Sequence, residues 1–156
     1  MPEHEPHTRR LLILSCSRCK RTDEGLLPAL QRYDGPAFRV LRRFLREGRS
    51  EASDVHILST EHGLISYDTP IAAYDRSMTA GRARELRPVV LAQIDHVTAA
   101  CRPQEVLVCA GRQYLSALTA DRGAFPGNAN VKVCKGTMGR KLAEPHDLQR
   151  PPGPSV

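Results

Sequence analysis

Four short apolar runs, each bounded by polar or turn-forming residues, set the strongest limit on how this chain can fold. They are RLLILS at 10–15, DVHILST at 54–60, EVLVCA at 105–110 and NVKVCK at 130–135. Each run has the length of a β-strand. The first and third runs are continuously apolar, which is typical of strands that are covered on both faces of a parallel sheet.

Segments with helical periodicity lie between these runs, at 36–48, from Thr79 to about Ala100, and at 112–120. We expect the second segment to break near Arg87, because Pro88 lacks a backbone N–H and clashes with the preceding helical turn. The alternation of strands and helices predicts an α/β fold, namely a single domain with an open, mainly parallel central sheet.

The chain has 156 residues and 40% apolar content, which predicts one hydrophobic core. We place the α/β domain at 10–144, after a flexible amino terminus at 1–9. The remaining residues, 145–156, carry four prolines and almost no apolar side chains, and we expect a flexible tail there.

No apolar stretch approaches the about 18 residues of a membrane span, and the first ten residues lack the apolar segment of a secretory signal. The five cysteines are an odd number, which is typical of a reducing compartment where thiols stay free, although the C-x-x-C spacing also permits pairing of Cys16 with Cys19. We therefore predict a cytoplasmic protein without membrane contact or structural disulfides.

The net charge of +6 comes from 23 basic residues, nineteen of them arginines. This excess favours anionic partners such as nucleotides, nucleic acids or phosphate esters, although biased genomic composition would also explain it. Arginines at 39, 42, 43 and 46 recur at helical spacing and could form a basic face for nucleic acid. With four Tyr, three Phe and no Trp, the chain has no obvious aromatic platform for single strands.

Polar or glycine-rich stretches follow all four predicted strands: CSRCK, EHGL, GRQY and GTMGRK. Because parallel strands present their carboxyl ends at one edge of a sheet, ligands bind in the crevice there. Glycines in these stretches permit close backbone approach to a ligand, or they are ordinary turn residues. These glycines are Gly63, Gly111, Gly136 and Gly139.

The stretch CSRCK at 16–20 is compatible with a metal site, a redox pair or a ligand-binding loop. A zinc site needs about four ligands, and no second C-x-x-C pair is present, although His62, Cys109 and Cys134 lie near other strand ends. A thioredoxin-like pair should lead directly into a helix, whereas the following KRTDEGLLP is typical of a loop. We favour a ligand-binding loop with no metal and no cofactor.

Three residues are candidates for catalysis. Lys20 can bind phosphate or, if desolvated, act as a base, but it can also be a solvated lysine. Asp75 can steady a developing positive charge or orient water, or it can cap the following helix. His62 can donate a proton near neutral pH, or it can be a turn residue beside Gly63.

The motifs resemble those of an uncharacterised bacterial family over most of residues 11–144. That family carries C-S-x-x-K, S-x-x-[YH]-G-L-[IL], Y-D, G-x-x-Y and G-x-G-[RK]-x-L in this order. Here the closing motif has two residues, Thr137 and Met138, between its glycines, and His62 stands where tyrosine is frequent. The matching positions are Cys16, Ser17, Lys20, Ser59, His62, Gly63, Leu64, Tyr74, Asp75, Gly111, Tyr114, Gly136, Gly139 and Leu142.

The first motif is also similar to the C-x-x-x-K segment of the lysine-transfer domain in archaeosine synthase. That domain has proline and tyrosine after the lysine, where this chain has Arg21 and Thr22. The resemblance implies a single three-layer, Rossmann-like or uracil-DNA-glycosylase-like domain that acts on nucleobases.

We therefore predict a nucleobase-processing enzyme, an N-glycosidase or base-modifying transferase, acting at the N-glycosidic bond of a nucleoside, nucleotide or nucleic acid. Such a bond breaks with positive charge on the sugar and negative charge on the base, so the site needs a carboxylate and hydrogen-bond donors. The alternatives are a non-catalytic nucleotide- or nucleic-acid-binding module and a zinc-stabilised structural domain. The oligomeric state is not predicted. The expected substrate-binding residues are Cys16, Ser17, Gly63, Tyr74, Gly111, Arg112, Tyr114, Gly136 and Gly139.

Overall fold

The fold is a mixed α/β arrangement built on a five-stranded sheet, and we describe it from a computed structural model. The structure describes residues 9–18, 20–47, 53–118, 125, 127 and 129–134. Its seven strands are β1 (Arg10–Ser15), β2 (Leu27–Pro28), β3 (Ser53–Ser59), β4 (Gly63–Ser66), β5 (Pro70–Ile71), β6 (Glu105–Cys109) and β7 (Asn130–Val133). Its four helices are α1 (Ala29–Arg32), α2 (Pro36–Arg46), α3 (Ala80–Cys101) and α4 (Arg112–Ala117).

Strand β1 is the middle strand of the main sheet, whose order is β4-β3-β1-β6-β7. It pairs in parallel with both neighbours, so that Leu12 lies opposite Val55 on one side and Leu107 on the other. Strands β6 and β7 are also parallel, and only β4 runs antiparallel, in a hairpin with β3. The prediction of a mainly parallel sheet is confirmed, and the β4 edge strand is an addition to it.

The side chains of β1 alternate along the strand between two apolar clusters. Leu12 and Leu14 belong to the cluster that contains Phe38 and Leu41 of α2. Leu11 and Ile13 belong to the cluster that contains the buried stripe of α3. All four β1 leucine and isoleucine side chains are at most 1% exposed, which explains why the run is apolar at every position from Leu11 to Leu14.

Helix α2 begins at Pro36, whose missing N–H is tolerated at the first helical position. Its buried residues, Ala37, Phe38, Leu41 and Phe44, recur at the spacing of one helical face. The helix ends at Arg46, close to the predicted end at 48. Helix α4 covers the first six residues of its predicted range 112–120, of which residues 119 and 120 lie outside the described residues.

The predicted break in α3 near Arg87 is wrong, because the helix runs without interruption from Ala80 to Cys101 and contains Pro88. Thr79 caps its start by accepting a hydrogen bond from Arg82 N at 3.0 Å. Buried side chains recur at helical spacing on both sides of the exposed Pro88, for example Leu86 and Val90. Burial of this continuous stripe outweighs the cost of about 3 kcal/mol for proline within a helix.

The expectation of no structural disulfide is also wrong. Cys109 and Cys134 form a disulfide, with Cα atoms 5.0 Å apart. The parallel register sets Val108 opposite Val133, so the next residue of each chain segment is a direct neighbour on the same face. Cys16 and Cys101 are free and buried.

A second, two-stranded sheet of β2 and β5 packs beside the short helix α1, and the sequence patterns did not predict it. Its centre is Arg32, whose side chain is fully buried. The guanidinium donates hydrogen bonds to the carbonyl oxygens of Arg21, Asp23, Gly25 and Ile71, at 2.7–3.3 Å. Arg32 therefore joins the segment after β1 to the segment before α3.

Within the described ranges, no helix combines the length and the apolar character that crossing a membrane requires. The predicted flexible termini, 1–9 and 145–156, lie outside the described residues except for Arg9.

We expect Arg32→Leu to lower the free energy of unfolding by about 3 kcal/mol, because it leaves the carbonyl of the buried Ile71 without its donor and removes the bonds to Arg21, Asp23 and Gly25. Urea denaturation followed by circular dichroism would measure the loss. Arg46→Leu, at an exposed arginine of α2, is the matched control and should change stability by less than about 0.5 kcal/mol. Equal stability of the two variants would contradict a structural role for Arg32.

Candidate functional site

The order of the parallel strands identifies where a ligand crevice should lie. From β1 the chain passes first to β3, which lies on one side of β1, and only later to β6, which lies on the other side. The connections on the two sides of β1 therefore diverge, which leaves a crevice at the carboxyl ends of β1 and β6. In open α/β sheets ligands bind at this point.

A cavity of about 420 Å³ lies at this edge of the sheet. Its walls are residues 16–18 and Lys20 after β1, residues 75–78 before α3, and Gln113 and Tyr114 of α4. We name it the carboxyl-edge cavity. Its volume falls within the about 300–1,000 Å³ that is typical of small-molecule sites.

The charged side chains of the carboxyl-edge cavity are three cations, on Arg18, Lys20 and Arg76, and one carboxylate, on Asp75. Arg76 also lies 3.5 Å from Glu61 and 3.8 Å from Glu85. Within the described part of the chain, neither Lys20 nor Asp75 forms a salt bridge. The cavity can therefore receive an anionic group and still present a carboxylate to the rest of the ligand.

Three polar side chains form a closed cluster at the buried side of the cavity. The Cys16 Sγ atom lies 3.2 Å from Thr60 Oγ1 and 3.3 Å from the Tyr114 hydroxyl, and the two hydroxyls are 3.3 Å apart. Burial raises the pKa of Tyr114 to about 12. Its hydroxyl is therefore protonated at neutral pH and can donate a hydrogen bond into the cavity.

The structure brings together five of the residues that the sequence singled out: Cys16, Ser17, Lys20, Asp75 and Tyr114 all line this cavity. Lys20 and Asp75 are far apart in the sequence. They meet because residues 72–79 extend along the same edge of the sheet before α3 begins.

Five other described candidates lie outside the lining: His62, Gly63, Tyr74, Gly111 and Arg112. His62 is exposed in the turn between β3 and β4, and its ring is edge-on to Tyr74 with centroids 5.7 Å apart. Gly111 and Arg112 are exposed where α4 begins, and Gly111 O accepts a hydrogen bond from Leu115 N at 2.9 Å. Gly136 and Gly139 lie outside the described residues.

Gly63 has a structural reason to be glycine. It has a φ of +73° at the start of β4, and an added Cβ would lie 2.6 Å from Gln93 Oε1. The same oxygen accepts a hydrogen bond from Leu64 N at 2.7 Å. Gly63 therefore closes the β3–β4 hairpin against α3 and does not line the cavity.

Besides Ser77 and Met78, which also line the cavity, sequence reasoning missed four residues of the site: Arg18, Thr60, Arg76 and Gln113. Each is a direct neighbour of a motif position or of a strand end. Arg18 is inside CSRCK, Arg76 follows Asp75, Gln113 precedes Tyr114, and Thr60 follows β3. For Arg18, Arg76 and Gln113, the sequence did contain a signal, namely a charged or amide side chain next to a motif residue.

Among the described residues, no group of three or more His, Cys, Asp or Glu side chains is arranged to hold a metal ion. Cys109 and Cys134, which could have completed a zinc site with Cys16, are bonded to each other instead. Cys19 lies outside the described residues.

The model of a family of unknown function (DUF6884) matches residues 11–144, so the chain belongs to that family. The matched range contains the main sheet except Arg10, the first residue of β1, and it contains every residue of the carboxyl-edge cavity. Searches of curated proteins and of solved structures gave no significant match. The similarity to the lysine-transfer domain of archaeosine synthase and to uracil-DNA-glycosylase-like domains stays a prediction.

We expect Gly63→Ala to lower the free energy of unfolding by about 2 kcal/mol, because alanine is strained at positive φ and its Cβ displaces Gln93. Gly111→Ala is the matched control, since an added Cβ there meets no atom within 4 Å. Its stability should stay within about 1 kcal/mol of the wild type. Thermal and urea unfolding of both variants would measure the difference, and equal losses would contradict this distinction.

Proposed function

We propose that this DUF6884 protein binds a phosphorylated nucleoside in the carboxyl-edge cavity and breaks its N-glycosidic bond. The observation that carries the proposal is the meeting of Lys20 and Asp75 in one cavity at the crevice beside β1. A free nucleoside or a nucleotide within a nucleic acid are the related substrates. A three-layer, Rossmann-like arrangement and a cytoplasmic location belong to the same proposal.

The cations of the cavity support the phosphorylated part of this substrate. Lys20 and Arg18 have no described carboxylate partner, and Lys20 is partly buried. An ammonium and a guanidinium that share one wall bind phosphate oxygens through charge-assisted hydrogen bonds. A phosphate held there would leave the sugar and the base to fill the rest of the cavity.

Asp75 supports the chemical step. When the C1′–N bond breaks, its electron pair leaves on the base nitrogen, and the sugar carries oxocarbenium-like positive charge. A carboxylate beside C1′ stabilises that charge more strongly in the transition state than in the ground state. Water then adds to C1′, and the proton that it loses balances the proton that the departing base takes up. In a base exchange, an incoming base replaces the water.

The departing base requires hydrogen-bond donors, and Gln113 and Tyr114 of α4 supply them in the cavity. Tyr114 is protonated at neutral pH, and the amide of Gln113 can both donate to and accept from a base edge. Neither side chain is charged, which favours binding of a neutral heterocycle.

The alternative of a nucleic-acid-binding module is less well supported by α2. Arg39, Arg42 and Arg46 do border one groove. However, Arg42 donates to the carbonyls of Leu30 and Tyr33, and it forms a salt bridge of 2.9 Å with Asp34. Arg39 lies 3.7 Å from the same carboxylate. These contacts reduce the positive charge that the helix can offer to a phosphate backbone.

The proposal predicts that Asp75→Asn preserves folding and nucleotide binding but lowers turnover by a factor of about 100 or more, because an amide cannot balance the positive charge. The assay is chromatography of free base released from the ribo- and deoxyribonucleoside 5′-monophosphates. Asp95→Asn, on the exposed part of α3, is the control and should retain wild-type turnover. Unchanged turnover in Asp75→Asn would remove its assigned role. Binding without turnover in the wild type would favour the non-catalytic module.

Lys20→Ala should weaken binding of nucleoside monophosphates about tenfold or more while it changes the affinity for the matching nucleosides little, because it removes a charged hydrogen bond to phosphate. Isothermal titration calorimetry of both ligand classes would measure this. Lys132→Ala, at an exposed lysine of β7, is the matched control. An equal effect of Lys20→Ala on both ligand classes would contradict phosphate binding by Lys20.

A further inference from the structure

A triangle of three hydroxyls lies beneath the loop that carries Asp75. The Tyr33 hydroxyl lies 3.1 Å from Ser59 Oγ and 2.7 Å from the Tyr74 hydroxyl, and Ser59 Oγ and the Tyr74 hydroxyl are 3.1 Å apart. Tyr33 and Ser59 are fully buried, and Tyr74 is half-buried. Ser59 Oγ also accepts hydrogen bonds from the backbone of Glu61 and His62, so the triangle is fixed to the end of β3.

The hydroxyls of this triangle act as neutral hydrogen-bonding groups. Burial raises the pKa of both Tyr33 and Tyr74 well above the usual value for tyrosine. Neither side chain therefore ionises in the physiological range. The triangle therefore stays uncharged near neutral pH.

The ring of Tyr74 makes a second contact, with a charged residue of the cavity. The Lys20 ammonium lies 4.6 Å from the centroid of the ring, which is a cation–π contact. No described carboxylate competes for this ammonium. Tyr74 thus touches Lys20 through its ring, touches the buried triangle through its hydroxyl, and precedes Asp75 in the chain.

We infer that Tyr74 is a positioning residue, which fixes the loop bearing Asp75 through its hydroxyl and fixes the Lys20 ammonium through its ring. The inference rests on the proposed function, since it assigns the alignment of that site to one side chain. Because the two contacts use different parts of Tyr74, two substitutions can separate them.

Tyr74→Phe keeps the ring but removes both hydrogen bonds of the hydroxyl. We expect kcat to fall about tenfold to a hundredfold with little change in KM, since a small displacement of the reacting carboxylate is costly. Tyr74→Leu removes the ring as well, so KM for the monophosphate should also rise about threefold to fivefold. A merely structural residue would lower stability without producing this separation of kcat from KM. Tyr67→Phe and Tyr67→Leu, at a half-buried tyrosine outside the cavity, are the controls.

The Lys20 contact can also be measured without any substrate. After reductive ¹³C-methylation, the Lys20 methyl resonance should be shifted upfield by the ring, and Lys20→Arg assigns it among the four lysines of the chain. The shift should persist in Tyr74→Phe and vanish in Tyr74→Leu. Its absence in the wild type, or its persistence in Tyr74→Leu, would overturn the inference.

The two sets of data separate the inference from the proposed function. If the Lys20 shift behaves as expected but both Tyr74 variants keep wild-type kcat and KM, the positioning role is overturned and the proposed function stands. If the wild type releases no base from any nucleotide, the proposed function fails. The NMR result then decides alone whether Tyr74 holds Lys20.

Discussion

The buried guanidinium of Arg32 is the constraint on which the site depends. It bonds to carbonyls at Arg21, Asp23 and Gly25 on one segment and to Ile71 on another. The first segment follows directly on Lys20, and the second leads to Asp75 within four residues. A guanidinium has five N–H donors in a fixed planar arrangement and can bond several carbonyls at once, whereas the single ammonium of lysine cannot reproduce this geometry. The pairing of β2 with β5 also joins these two segments, and Arg32 adds four carbonyl contacts that hold them together between Lys20 and Asp75.

Tyr33, the residue after Arg32, also connects these two segments, closer to the carboxyl-edge cavity. Tyr33 pairs with Lys20 in an isolated β-bridge, and Arg21 N donates to Arg32 O at 2.8 Å. The Tyr33 hydroxyl forms a hydrogen bond with the Tyr74 hydroxyl, and Tyr74 directly precedes Asp75 in the chain. The site therefore has two sources of order. The carboxyl ends of β1 and β6 supply the crevice, and residues 32 and 33 hold the charged loops at its rim.

Much of the fold, but only part of the site, could be predicted from the sequence. The apolar runs of β1 and β6 predict buried parallel strands, and the position of Lys20 follows from the end of β1. The placement of Asp75 could not be predicted, because it depends on long-range contacts of Arg32 and Tyr33 in elements of two to four residues, which are too short to show periodicity. The break predicted at Pro88 is wrong because burial of a continuous helical stripe outweighs the local cost of proline within a helix. The Cys109–Cys134 pair depends on strand register, which composition does not reveal.

The most direct test of the account is a crystal structure of the protein with the nucleoside 5′-monophosphate that stabilises it most in a thermal-shift screen. The account predicts phosphate density within hydrogen-bonding distance of Lys20, with the sugar C1′ facing Asp75 and the base toward Gln113 and Tyr114. Density for the nucleotide on the arginine face of α2, or an unoccupied carboxyl-edge cavity at saturating nucleotide, would contradict it.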